Sequence, residues 1–85
     1  MSNDETFDSS NGGVVINLPD GSVERRDSVS VSDIKSLARQ AGVRKFHVKG
    51  SNGESLQSRS FPVTSGSITI EEYNEAKHGD NYFTV

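Results

Sequence analysis

The sequence predicts an α+β domain, a mixed four- or five-stranded sheet with one helix packed across it. Apolar and polar residues alternate at Phe46–Val48 and Ile68–Ile70, the two-residue period of strands, and Val14, Ile16 and Leu18 keep the same period. Ile34, Leu37, Ala38 and Ala41 instead recur at i, i+3, i+4 and i+7, the stripe of a single amphipathic helix. Turn-forming triplets, Pro19-Asp20-Gly21, Ser51-Asn52-Gly53 and Ser65-Gly66-Ser67, separate these segments.

A chain of 85 residues holds one domain, and a hydrophobic fraction of 31% keeps its core small. Residues 1–12 are rich in Asp, Ser and Asn, and Phe7 is their one large apolar residue besides Met1. Such a segment buries too little surface to offset its ordering entropy, so a disordered acidic tail is expected there. The folded domain is expected over 13–79. Residues 80–85 read as a C-terminal tail whose Tyr82, Phe83 and Val85 either pair with a sheet edge or stay loose.

Val14 to Leu18 opens the domain with apolar residues on both faces, the mark of a central strand. Pro19-Asp20-Gly21 turns the chain into a strand from Val23. The charged run Glu24-Arg25-Arg26-Asp27 suits a sheet edge, where charge discourages further pairing. The helix is expected over 33–41, capped by Ser32, with Asp33 in its first turn and Gly42 at its left-handed end. Val43 to Gly50 reads as a strand with Phe46 and Val48 inward and Lys45, His47 and Lys49 outward. Asn52-Gly53 marks a hairpin returning through Leu56. Phe61 and Val63 flank Pro62 and fold back towards the core. Two readings compete for residues 69–78: a last strand through Glu71, or a helix capped by Thr69 with Glu72 three residues on. The expected core is Val14, Ile16, Leu18, Val23, Ile34, Leu37, Ala38, Ala41, Phe46, Val48, Leu56 and Ile70.

The formal charge of −3 resides in Asp4, Glu5 and Asp8; the remaining nine acids balance nine basic residues. Within that balance, residues 25–59 carry eight basic side chains against three acids, while residues 60–85 carry four acids against Lys77. Segregation of this kind steers charged partners. With no cysteine, disulfides and thiolate zinc sites are excluded, and a reducing compartment is expected. The polar, acidic start lacks the pattern of a signal peptide, and no apolar run approaches the roughly 18 residues of a membrane span. The expected location is cytoplasmic, with no membrane association.

The order of elements in VVINLPDGSVERRD, VSDIKSLARQAG, RKFHVKGSNGESL and SITIEEY resembles the ubiquitin-like β-grasp proteins over about Val14 to Tyr73. The resemblance implies a β-grasp sheet and a protein-binding role. It extends to modifiers and sulfur carriers, whose tails end in Gly-Gly. This chain reads His78-Gly79 followed by six residues ending in Thr84-Val85, so conjugation would require processing. The apolar recognition patch of ubiquitin is replaced in the third strand by a basic row.

Catalytic and metal chemistry find no foothold in the sequence. His47 and His78 are its two histidines, too few for a zinc site of three or four ligands. No Gly-x-Ser-x-Gly elbow accompanies the many serines, and Glu71 and Glu72 occupy adjacent strand positions that face opposite ways. Gly50-Ser51-Asn52-Gly53 has the spacing of a KH-type clamp, but a strand precedes it and Asn-Gly favours a hairpin. No enzyme activity and no cofactor are expected. The expected function is a small monomeric protein–protein interaction module. It would contact a protein partner, an acidic one being compatible, through Arg44, Lys45, His47 and Lys49. The same basic row provides the alternative of weak nucleic-acid binding.

Overall fold

The computed structural model describes residues 13–85. The expectation of a disordered tail over 1–12 therefore lies outside the described residues. The chain forms strand β1 (Gly13–Asn17), strand β2 (Val23–Arg26) and helix α1 (Val31–Gln40). Strand β3 (Lys45–Lys49), strand β4 (Ser65–Glu72), the short helix α2 (Glu75–His78) and strand β5 (Phe83–Thr84) follow. A 3-10 turn at Ser58–Ser60 lies between β3 and β4. The five strands form one mixed sheet in the order β2-β1-β4-β3-β5. β1 and β4 run parallel, and the other neighbours are antiparallel. Among the described residues no helix is long and apolar enough to cross a membrane.

Alternation decides what each strand presents to α1. Val14 and Ile16 of β1, Ile68 and Ile70 of β4, and Phe46 and Val48 of β3 are buried on one face. They meet Ile34, Leu37 and Ala38 of α1 in a single cluster. Val29, Val43 and Phe83 complete it, and Leu18, Val31, Leu56, Phe61 and Val63 pack half-buried around it. The register keeps the faces consistent, with Ile16 beside Ile68 and Val48 beside Ile70. The opposite, outer face carries Val15, Asn17, Thr69, Glu71, Lys45, His47 and Lys49.

The helix starts earlier than the sequence reading places it. Ser30, not Ser32, is the N-cap. The Asp33 N–H donates to Ser30 Oγ at 3.3 Å, and the Ser30 N–H donates to Asp33 Oδ2 at 2.9 Å, a reciprocal capping box. Ser30 wins because its backbone is still extended, whereas Val31 and Ser32 have already entered the helix. The Ser30 N–H, together with Arg26 4.0 Å away, holds the Asp33 carboxyl below the ordinary carboxylate range. At the other end Ala41 is the C-cap, and Gly42, at φ +83°, supplies the left-handed residue that turns the chain towards β3.

Two expected core residues lie elsewhere. Val23 is 59% exposed, because it pairs with Asn17 on the outer face at the edge of the sheet. Ala41, at the helix cap, is half-buried. Residues absent from the expected core take their places. Val29 enters through a two-way backbone pairing with Val63, both N–H···O distances being 2.9 Å. Phe83 enters because residues 80–85 are no separate tail: β5 pairs with β3, setting Phe83 beside Phe46 with ring centroids 5.6 Å apart.

Both readings of residues 69–78 hold in part. The strand runs through Glu72, and a helical turn follows, capped by Asn74 rather than Thr69. Asn74 Oδ1 accepts from the N–H groups of Ala76 and Lys77 at 2.9 and 3.3 Å. The Asn52-Gly53 hairpin forms as expected, with the Gly50 N–H donating to the Glu54 carbonyl at 2.8 Å and the Leu56 N–H to the Val48 carbonyl at 2.9 Å.

Candidate binding face around Lys45

The basic residues of β3 do not act as one row. Lys45 and Arg44 are exposed at the start of the strand. Lys49, at its other end, is half-buried and engaged, its ammonium 2.9 Å from Glu71 Oε2. That ammonium holds the Glu71 carboxyl below its ordinary range against the opposing effect of burial, with a smaller contribution from His78. His47 is corrected most: it leaves the strand on the outer face as alternation requires, yet it is 3% exposed. The reason is tertiary. α2 folds back over this part of the sheet, and the His78 ring stacks on His47 with centroids 4.1 Å apart and planes 10° from parallel. His47 is therefore withdrawn from any contact surface.

What surrounds Lys45 is aromatic. Its ammonium lies 4.5 Å from the ring centroid of Tyr73 and 4.2 Å from that of Tyr82. The two tyrosines meet edge to face at 4.9 Å. Each arrives from a different element. Tyr73 follows β4 directly, and its N–H donates to the Lys45 carbonyl at 3.0 Å, extending the β3–β4 ladder by one bond. Tyr82 precedes β5, whose register places Thr84 opposite Lys45. The Val85 N–H closes this corner by donating to the Arg44 carbonyl at 2.9 Å. Tyr82 is 44% exposed, so a cation and two phenol rings share one open surface. Partial desolvation, with Glu75 and Asp80 nearby, raises the Tyr73 phenol above its ordinary value and keeps it a hydrogen-bond donor. That hydroxyl donates to the Gly79 carbonyl.

Tyr73 carried a sequence signal, since it shares the outward parity of Thr69 and Glu71. Tyr82 carried none, because its position depends on how β5 docks. Elsewhere on this face Ser55 Oγ stands 3.4 Å from His47 Nε2, and His47 Nδ1 donates to the Asn81 carbonyl at 2.8 Å. His47, His78 and Glu71 converge, but among the described residues no group of three or more His, Cys, Asp or Glu side chains has the geometry to hold a metal ion. Comparisons with family models, with curated proteins and with solved structures find no match to this chain.

Proposed function

We propose that this chain is a non-enzymatic protein–protein interaction module built on a ubiquitin-like β-grasp, acting as a monomer. Three features support the fold reading: the parallel pairing of β1 with β4, an antiparallel hairpin on one side, and a helix that crosses after that hairpin. The observation that carries the binding reading is the exposed Lys45 ammonium between Tyr73 and Tyr82. Tyrosine supplies large contact area at small entropic cost and concentrates at interface hot spots. This face suits a protein surface that presents a carboxylate to Lys45 and an apolar contact to Tyr82. Lys49, neutralised by Glu71, is peripheral to that contact.

The test is affinity purification from the native cell with Lys45→Glu combined with Tyr82→Ala, folding being checked by the amide spectrum. Loss of a partner that an edge variant, Arg25→Ala, retains is the expected result. An unchanged partner set overturns the reading.

Nucleic-acid binding is the second reading, and one observation favours it: aromatic rings stand on the same face as Lys45 and Lys49. Single-strand binders combine stacking platforms with cations in this way. Against it, Glu75 and Asp80 lie near the Tyr73 ring, and Glu71 pairs with Lys49. Short RNA or DNA titrated at low salt would shift the Tyr73 and Tyr82 resonances under this reading, and would leave them in place under the first.

A further inference from the structure

We propose that the cleft beside Tyr82, between the return of the β3 hairpin and the residues leading into β5, receives one arginine side chain of the partner protein. The inference deepens the docking reading above and rests on it for the source of that arginine.

The cleft holds about 150 Å³. A site for a drug-sized molecule takes roughly 300–1,000 Å³, so this one has room for a single side chain. Its deepest residues are apolar: Phe83 is buried and Leu56 half-buried. Its rim is polar, formed by Gln57, Ser58, Asp80 and Asn81, and Tyr82 is the aromatic wall. Asp80 is the charged residue of this lining, and among the described residues it has no ion-pair partner.

The walls are set by the fold before a ligand arrives. Phe83 is held by the pairing of β5 with β3 and by its stack on Phe46. The Leu56 N–H donates to the Val48 carbonyl at 2.9 Å. Asn81 is tied at both ends of its backbone unit: its N–H donates to the His78 carbonyl at 3.0 Å, and its carbonyl accepts from His47 Nδ1 at 2.8 Å. Gln57 Nε2 donates to Asn81 Oδ1 at 3.4 Å, joining the two sides of the cleft across 24 positions of the chain. A pocket formed in advance spends little ordering entropy on binding.

The lining selects the ligand by its chemistry. An apolar floor under a rim with one carboxylate calls for a long aliphatic stem that ends in a cation. Arginine fits better than lysine. Its planar guanidinium lies flat against a ring and directs several N–H donors at a carboxylate and neighbouring oxygens, and it sheds water more readily than an ammonium. The charge of the surrounding chain agrees, since residues 60–85 carry four acids against Lys77. Lys45, 4.2 Å from the centroid of the Tyr82 ring, opposes a lone cation on this side. The partner therefore answers it with the carboxylate already assigned to Lys45. An arginine close to an acid, one on either side of Tyr82, is the chemistry this corner recognises.

The test is a titration of the full chain with acetyl-arginine methylamide at low salt, followed by amide and aromatic resonances. The neutral isostere, acetyl-citrulline methylamide, is titrated alongside. Saturable shifts are expected at Leu56, Asp80, Asn81 and Tyr82, with a Kd on the order of 1–10 mM for so small a ligand. Citrulline should bind at least about fivefold more weakly, and Asp80→Asn, which keeps the size of the side chain, should weaken arginine by a similar factor. Shifts that stay linear with concentration overturn the proposal. So does equal binding of arginine and citrulline by the native chain, or undiminished arginine binding by Asp80→Asn. No partner enters this titration. Absent arginine binding together with a partner lost on Lys45→Glu plus Tyr82→Ala removes the cleft and keeps the docking reading. Arginine binding with an unchanged partner set does the reverse.

Discussion

The Lys45 ammonium stands 4.2 Å from the centroid of the Tyr82 ring, joining the first residue of β3 to the residue before β5. Tyr73 approaches the same ammonium from β4, so one cation ties together three segments of the chain. A cation over an aromatic face at an exposed site contributes about 0.5–1 kcal/mol. A double-mutant cycle with Lys45→Met and Tyr82→Leu, read by urea unfolding, should return a coupling energy in that range. A coupling of zero would mean that the contact contributes nothing to the corner.

The cap assignment makes a sharp comparison. Ser30→Ala removes the acceptor for the Asp33 N–H and should cost about 1 kcal/mol in chemical denaturation. Ser32→Ala, inside the first turn, should stay within about 0.5 kcal/mol. Equal costs at the two serines would reject Ser30 as the cap.

Phe83 tests whether the last residues belong to the domain. It is buried against Phe46 and meets Phe61 edge to face, with centroids 6.0 Å apart. Phe83→Ala should destabilise the protein by about 3 kcal/mol, the usual cost of emptying a phenylalanine site in a core. Cleavage after Gly79 would carry away β5 entirely. A chain shortened to Gly79 that melts at the same temperature as the full one would contradict this.

Edge exposure predicts the opposite for Val23. Val23→Thr should change stability by no more than about 0.5 kcal/mol, because the side chain makes no core contact to lose. A cost of several times that, measured by the same urea titration, would place Val23 in the core after all.

The Lys49–Glu71 pair has a definite pH signature. Lys49 chiefly, with His78, keeps the folded carboxyl of Glu71 below its ordinary range. The folded state therefore binds the Glu71 proton less readily than the unfolded chain does. Its contribution is present above the ordinary glutamate range and is lost as pH falls through the lower folded value. The stability difference between the native protein and Glu71→Gln should be full at neutral pH and shrink as pH falls below the ordinary glutamate range. A difference that persists unchanged into strong acid would assign it to packing instead of charge.

Elements specified by neighbouring residues were legible in the sequence. The stripe Ile34-Leu37-Ala38 places α1 against a sheet, and the alternation of Phe46 and Val48 sets the inward face of β3. Asn52-Gly53 sets its hairpin, and the α+β class follows from these periods. The cap was displaced by two residues because Ser30 and Ser32 are equivalent locally, and only the backbone angle at which the chain enters α1 separates them.

The candidate site was legible in part, for a physical reason that separates direction from exposure. Strand parity states which way His47 points; it cannot state that α2, some thirty residues on, will fold over it. The His47 Nδ1 bond to Asn81 spans 34 positions in the chain, and no local pattern encodes it. Lys45 and Lys49 share parity and charge, yet one meets two tyrosines and the other a glutamate, because β5 lies beside one end of β3 and Glu71 reaches the other. Local periodicity thus settled the secondary elements and the inward faces, since those depend on residues within one turn or one pleat. Which outward side chains meet water was decided by the return of α2 and β5, a matter of long-range burial that becomes definite once the whole sheet has closed.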